Sequence, residues 1–416
     1  MESITKRFID YLFAKADDID ERIITKASLC LEDYLAVTEA GARKNREHWK
    51  TLLQKLPDGD AEIVGYGMKT DPKSAALING FNAHTLELDD GQRFAMIHLG
   101  AAVISALLAV KEETGKEDLL KGIVMGYEAA CRTAIVMQPS HKELGFHATG
   151  TCGTVGAAVA VAFALKMDRE AMNRVLACAC AGAAGLLEMQ SDSSELKPYN
   201  PGRAAMDGLA AAYMGYTDLM TPDDILGGER GLFRLFAKEY EVDKLTEKNE
   251  YFEIERIYVK PYASCRHSHS AVEAAIRIHN RINDKEISEV LVTTYRAAVK
   301  GHDHTEIPGS ASARLSIPYA VAAGLLYGRA DLTVFEPLDE KIMKTAGKVK
   351  VEEDRNYTEQ CPEKRIARVT VRYTDGSLDE EIVEYAKGEA ENPLSEEERK
   401  EKIDLLGKYQ ANEVLR

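Results

Sequence analysis

Gly150-Thr151-Cys152-Gly153-Thr154-Val155-Gly156-Ala157-Ala158-Val159-Ala160-Val161-Ala162-Phe163-Ala164 holds no charged residue and, apart from Phe163, no large one. Small side chains over that length let a helix backbone approach its neighbours closely, so the stretch predicts a buried helix. Extended to Leu165, it still falls short of the roughly 18 apolar residues that read as a membrane span. Leu176–Leu187 and Ala204–Gly215 are also dominated by small residues. Ile4, Phe8, Tyr11 and Leu12 recur at helical spacing. Helical period then dominates to about Tyr240, with Glu62–Tyr66 as a short strand-like exception. The fold class that follows is mainly α, with a tightly packed all-helical core.

The pattern changes near Asn249. Tyr251–Val259 alternates as a strand does, Ser268–Asn283 reads as a helix, and Glu286–Tyr295 returns to strand. A further helix is expected at about Ser312–Leu326. Arg365–Tyr373 and Leu378–Tyr385 flank Thr374-Asp375-Gly376-Ser377, a hairpin signal. A smaller α+β domain over about 251–387 is indicated. The charged stretch Lys348–Arg355 reads as a solvated loop or helix end. In the tail, Ser395 precedes Glu396-Glu397-Glu398, an N-cap with an acidic first turn, and the segment reads as helical to the end.

A chain of 416 residues favours two domains over one. Lys and Arg number 53 against 68 Asp and Glu, a formal charge of −15, which argues against a nucleic-acid or anionic-membrane surface. Cys30, Cys131, Cys152, Cys178, Cys180, Cys265 and Cys361 form no C-x-x-C pair. Most lie in apolar runs, so a reducing, cytoplasmic location is expected. Met1-Glu2-Ser3-Ile4-Thr5-Lys6-Arg7 leads into an amphipathic helix and not into a secretory h-region.

Against this acidic background, cations gather beside Pro and Gly in two places. They are Lys197-Pro198-Tyr199-Asn200-Pro201-Gly202-Arg203 and Lys260-Pro261-Tyr262-Ala263-Ser264-Cys265-Arg266-His267-Ser268-His269. Cations in ordered turns hold carboxylates through charge-assisted hydrogen bonds. Asn79–Arg93, with His98 downstream, ends an apolar helix in acids, an Arg and a His. Asp90 and His98 there are candidates for proton transfer, against the alternative that the acids only cap or solvate a helix end. His147 stands in a Gly/Thr turn at the start of the small-residue helix, a place for an acid or base beside an anion. Cys265–His269 and His302-Asp303-His304 lack ligand pairs at zinc spacing, so no metal is expected, and the second reads as an exposed polar loop. No GxGxxG follows a strand, and no GxxxxGK[ST] or GxSxG occurs, which leaves cofactor-free chemistry favoured.

Six segments taken in order resemble the MmgE/PrpD family over nearly the whole chain. They are NG-x-x-AH-x-x-x-x-DD at 79–90 with His98, GFH-x-T-x-x-x-GT at 145–154, and KP-x-x-x-G-x-AA at 197–205. KPY-x-x-CRH-x-H at 260–269, SIPYA at 316–320 and NPLS near the C-terminus complete the set. The family includes 2-methylcitrate dehydratase, cis-aconitate decarboxylase and iminodisuccinate epimerase. The resemblance implies a helical domain made from both chain ends, 1–250 with 388–416, a lid over 251–387, a homodimer and an active site between the parts. Matching motif positions, it implies Asp90, His98, His147, Lys197, Lys260, His267 and Tyr319 as catalytic residues. Arg93, Arg203 and Arg266 would clamp carboxylates, and Cys265 and His269 would contact substrate. The sequence departs from common family patterns at Glu87, Gly91 and Asn200, where Asp, Thr and His are frequent.

The implied activity is a cofactor-independent lyase on a small di- or tricarboxylate, most simply a 2-methylcitrate dehydratase-like hydro-lyase. The alternatives are an epimerase, a decarboxylase and, from another class, a non-catalytic carboxylate-binding protein. All three reactions develop negative charge beside a carboxylate, which is why cations and imidazoles are needed together.

Overall fold

A computed structural model describes residues 3–282 and 285–408, with the side chains of Asp192 and Ser193 excepted. The small-residue stretch forms the helix Ala148–Ala164, with every residue buried except Phe163. It packs between Lys116–Met137 and Tyr199–Tyr213, and Tyr199–Tyr213 in turn packs on Pro72–His84. Gly202 shows why small residues were needed, since a Cβ there would overlap the Leu77 carbonyl oxygen. The resulting apolar cluster runs from Phe8 to Ile257, and the mainly α fold class is what the chain adopts.

A four-stranded sheet lies in the C-terminal part, in the order Val349–Glu353, Ile287–Thr294, Ala367–Tyr373, Leu378–Val383. Its first pair is parallel and the others antiparallel. The hairpin forms around Gly376 at φ 85°. His269–His279 covers the sheet and packs on Ile317–Tyr327, and the rest of the Ser268–Asn283 expectation reaches Asn283, outside the described residues. A third apolar cluster joins Val37, Leu86 and Leu88 to Ala263, Tyr319 and Phe335, tying the helical and sheet-bearing parts together. Among the described residues no helix is long and apolar enough to cross a membrane.

Three sequence expectations are corrected. Tyr251–Val259 is not a strand, because the Phe252 and Glu253 backbone N–H groups donate to the carboxylates of Glu255 (2.9 Å) and Glu128 (2.8 Å) instead of to a neighbouring strand. Lys348–Arg355 contains an edge strand, Val349–Glu353, with Val349 buried beneath charged neighbours that protect the open edge. The helix expected at Ser312–Leu326 is broken into Ser310–Leu315 and Ile317–Tyr327. Pro318 supplies no N–H, and the Ser316 hydroxyl caps the second helix by accepting from Tyr319 N at 3.1 Å.

The tail helix spans Glu396–Lys408 behind a capping box, in which Ser395 and Glu398 exchange side-chain to backbone bonds of 2.7 and 3.2 Å. It packs on Glu21–Leu53, and Lys402 reaches Asp33 at 2.5 Å and the Leu88 carbonyl at 3.1 Å. The expected continuation to the end lies outside the described residues.

Candidate active site

The loop after the Pro72–His84 helix carries the acids. Glu87 sits at φ 54°, where a non-glycine residue is held only when its surroundings over-determine it. Lys260 does so by donating to both the Glu87 carbonyl (3.0 Å) and its carboxylate (3.1 Å). Lys197 pairs with the other carboxylate oxygen. Burial opposes ionisation of Glu87, yet the two lysines hold its carboxyl well below the usual range.

The turn at Glu87 aims Asp89 and Asp90 in different directions. Asp89 Oδ2 lies 2.7 Å from His84 Nδ1 and 3.3 Å from His98 Nδ1. Against burial, those imidazoles hold Asp89 well below its ordinary value. Asp90 instead faces the protein interior, where Tyr127 donates to it at 2.6 Å and Gly100 N at 2.9 Å. Burial raises its pKa. Asp90 thus caps the Gly100–Leu108 helix and positions the loop, with no contact to the cleft.

Two imidazoles face the cleft in complementary tautomers. His98 Nδ1 is flanked only by acceptors, Asp90 O at 2.9 Å and Asp89 Oδ2, so it carries the proton and leaves Nε2 as an acceptor. His147 Nδ1 accepts from Asn200 Nδ2 at 3.0 Å, and the same amide donates to Leu186 O at 3.2 Å, so the proton of His147 is on Nε2. Burial lowers both pKa values, that of His147 strongly, which keeps both rings neutral.

The cleft is lined by Met96, His98, Gln138, Lys142, His147, Lys197, Tyr258, Cys265, Arg266, His267, His302 and Arg365 among others, around a cavity of about 80 Å³. Lys142 donates to His267 Nε2 at 3.3 Å, and His267 Nδ1 lies 2.7 Å from the Tyr295 hydroxyl. Desolvation, then Lys142 and Arg365, drive the His267 pKa well down. Neither Lys142 nor Arg365 forms a close ion pair with a carboxylate among the described residues, although Arg365 and Glu389 act on one another from farther off. Arg365 donates to the Arg93 carbonyl at 3.3 Å, but its buried Nε has no partner. Cys265 Sγ lies 3.9 Å from His302 Nε2.

The residues expected from sequence do not all meet here. His98, His147, Lys197, Arg266, Cys265 and His267 line the cleft, while Lys260 is fully buried behind Glu87. His269 lies deeper, accepting from Arg266 at 2.8 Å. The Tyr319 hydroxyl is spent on the Val334 carbonyl at 2.9 Å, inside the third apolar cluster. The three arginines already hold partners in the chain. Arg93 pairs with Glu389 and Glu391, Arg203 with Asp207 and Arg266 with Glu389. The site residues that sequence reasoning missed are His84, Asp89, Lys142, Arg365 and His302. The last is 9% exposed and not the open polar loop expected. Asp89 and His84 stood inside the NG-x-x-AH-x-x-x-x-DD segment and were within reach; His302 stood in the His302-Asp303-His304 run, whereas Lys142 and Arg365 belong to no motif.

His84, Asp89 and His98 offer donor atoms within 4.8 Å of one another. Both Nδ1 positions already face the Asp89 carboxylate, and the Lys260 ammonium stands 3.9 Å from its other oxygen. That charge distribution suits a proton relay better than a cation.

The sequence matches the models of the MmgE/PrpD N-terminal domain over residues 8–245 and the MmgE/PrpD C-terminal domain over residues 262–414. It is 24% identical to the cis-aconitate decarboxylase of Aspergillus terreus over 405 residues, covering 89% of this chain and 82% of that protein. A cis-aconitate decarboxylase-like protein of Aspergillus oryzae is 25% identical over 426 residues, 93% of this chain and 87% of that one. The human cis-aconitate decarboxylase is 24% identical over 248 residues, 57% and 51% of the two chains.

Proposed function

The chain belongs to the MmgE/PrpD family, and from that premise we propose a lyase that moves a proton at a carbon beside a carboxylate of a small di- or tricarboxylate. The observation that carries the reading is the pair of neutral imidazoles in opposite tautomers, facing a cleft in which Lys197 and Arg266 are ion-paired to Glu87 and Glu389 while Lys142 and Arg365 are not ion-paired among the described residues. His98 Nε2 takes the Cα proton, with Asp89 orienting the ring and stabilising its charge. Lys142 and Arg365 hold the substrate carboxylate as it gains enolate character. His147 Nε2–H protonates the departing hydroxyl, giving alkene and water. Lys197 and Lys260 keep Glu87 ionised, which makes them positioning residues here.

A dehydratase of the 2-methylcitrate type is the leading form. Decarboxylation is the second reading, favoured by the names of the relatives; there the same cations stabilise the carbanion left by CO₂, and His147 returns a proton to carbon. The division into a helical body over 1–250 with 388–416 and a lid over 251–387, the homodimer and the cytoplasmic location belong to the same proposal. Incubation in D₂O with 2-methylcitrate, citrate, cis-aconitate and iminodisuccinate, followed by NMR and CO₂ measurement, tests it. Alkene formation identifies a dehydratase, CO₂ a decarboxylase, and deuterium uptake with inversion an epimerase. Binding of these acids without change in any of them makes the protein a carboxylate-binding relative and overturns the proposal.

A further inference from the structure

Cys265 and His302 form a second chemical unit that the proton pair does not use. The Cys265 backbone is fixed on both sides, its N–H donating to the Arg314 carbonyl at 2.8 Å and its own carbonyl accepting from Ser268 N at 2.9 Å. His302 Nδ1 donates to the Leu315 carbonyl at 2.9 Å, which turns Nε2 toward Sγ, 3.9 Å away. A nucleophile, a base and a group orienting the base are thus present in sequence, the arrangement that activates a thiol.

The surroundings agree. Although burial opposes it, the His302 imidazolium pulls the Cys265 thiol down to about 6, and the thiolate in turn raises His302. Lys142, Lys197, Arg266, His267, Tyr295, Arg365 and Glu87 are the other charged or titratable groups around the pair. Cys178 and Cys361, the other half-buried thiols, have no such partner, and burial pushes both upward. A separate observation points to an anionic guest. Arg365 is 8% exposed, lines the same cleft, and has an Nε without a partner.

We propose that Cys265, with His302, is a covalent-modification site that takes soft carbon electrophiles bearing a carboxylate, α,β-unsaturated acids above all. In the addition, Sγ forms a bond to the β-carbon, the π pair moves to the α-carbon, and His302 Nε2 delivers the proton; nothing leaves and nothing is oxidised. The carboxylate docks on Arg365 and Lys142. The choice of acids follows from the carboxylate reading of the cleft, but the chemistry of the thiol needs no turnover.

The test is alkylation of the intact protein at pH 6 with iodoacetate or iodoacetamide, in which the C–I bond breaks and iodide leaves, read by peptide mass spectrometry. At that pH about half of Cys265 is thiolate, against roughly 0.3% of an ordinary thiol, and after allowance for its lower intrinsic nucleophilicity labelling should still be roughly tenfold faster than at Cys178 or Cys361. Relative to free glutathione under the same conditions, the iodoacetate-to-iodoacetamide rate ratio should be raised at Cys265. In Arg365→Met that preference should fall while iodoacetamide still reacts, and His302→Gln should slow both reagents. Equal labelling of Cys265 and Cys361 in the unmodified protein overturns the activated thiol whatever the variants do. A rate ratio like that of glutathione overturns the carboxylate preference.

Discussion

The two walls of the cleft handle charge in opposite ways. On one, every acid is met within the chain, Glu87 by Lys197 and Lys260 and Asp89 by His84 and His98. On the other, Lys142, His267, His302 and Arg365 gather with no carboxylate among them. The first wall is complete and fixes two tautomers. The second carries positive charge met only by the Cys265 thiolate and, from farther off, by Glu389, in a place where charge is expensive to bury, which makes sense when a further anion is the substrate.

The sharpest break of this comparison is at the proton pair. His98→Gln and His147→Gln should each lower kcat by more than roughly a hundredfold, the usual scale for an acid–base group, with the circular dichroism spectrum unchanged. A variant that keeps a tenth of wild-type kcat in the NMR assay removes its imidazole from the mechanism.

Stability should separate the walls next. Glu87→Gln leaves Lys197 and fully buried Lys260 without their common anion, and breaking such a buried network should cost about 3 kcal/mol in urea unfolding. Lys142→Met removes a cation that has no acid partner and that desolvation already disfavours, so stability should hold or rise. If the two substitutions destabilise alike, the contrast between the walls is wrong.

Arg365→Met should then act on binding, raising KM roughly tenfold to hundredfold, as for loss of a charged hydrogen bond, while kcat moves less. An unchanged KM would show that the carboxylate docks elsewhere.

Much of the molecule was legible in sequence because the signals were local. The small residues of Gly150–Ala164, the Gly376 turn and the Ser395 cap each work through neighbours along the chain. The first wall was half legible, since its residues cluster in motifs, yet choosing between Asp89 and Asp90 depended on the left-handed backbone at Glu87, which no residue type announces. The second wall was hidden. Lys142, on the short helix Ser140–Glu143, and His302 and Arg365, outside helices and strands, come from three separated segments and share no pattern, and their importance lies in what they lack. Conversely Arg93, Arg203 and Arg266 looked available until Glu389, Glu391 and Asp207 were seen against them. The departures at Glu87, Gly91 and Asn200 all fall at the first wall: one pairs the lysines, one lets Tyr258 approach where a Cβ would collide with its hydroxyl, and one fixes the His147 tautomer.

Behind the first wall lies an exception to its charge balance that gives the smallest effect. Glu253 accepts from Gln92 at 2.7 Å beneath the turn that carries His98, and Arg256 is only 3.6 Å from its carboxylate. Burial and then the charge of Glu128 nevertheless push its carboxyl up from 4.5 to about 7. Between those two values the unfolded chain has released this proton while the folded chain keeps it. The stability it contributes is therefore fully present below about 4.5 and is lost as pH rises through about 7, by at most about 3 kcal/mol at 1.36 kcal/mol per unit. Glu253→Gln keeps an oxygen for Gln92 and removes the titration. Its Tm should match wild type near pH 5 and exceed it by roughly 3 °C at pH 8. A shift of the same size at both pH values would mean that Glu253 is ionised in the fold and that the first wall is balanced through to its support.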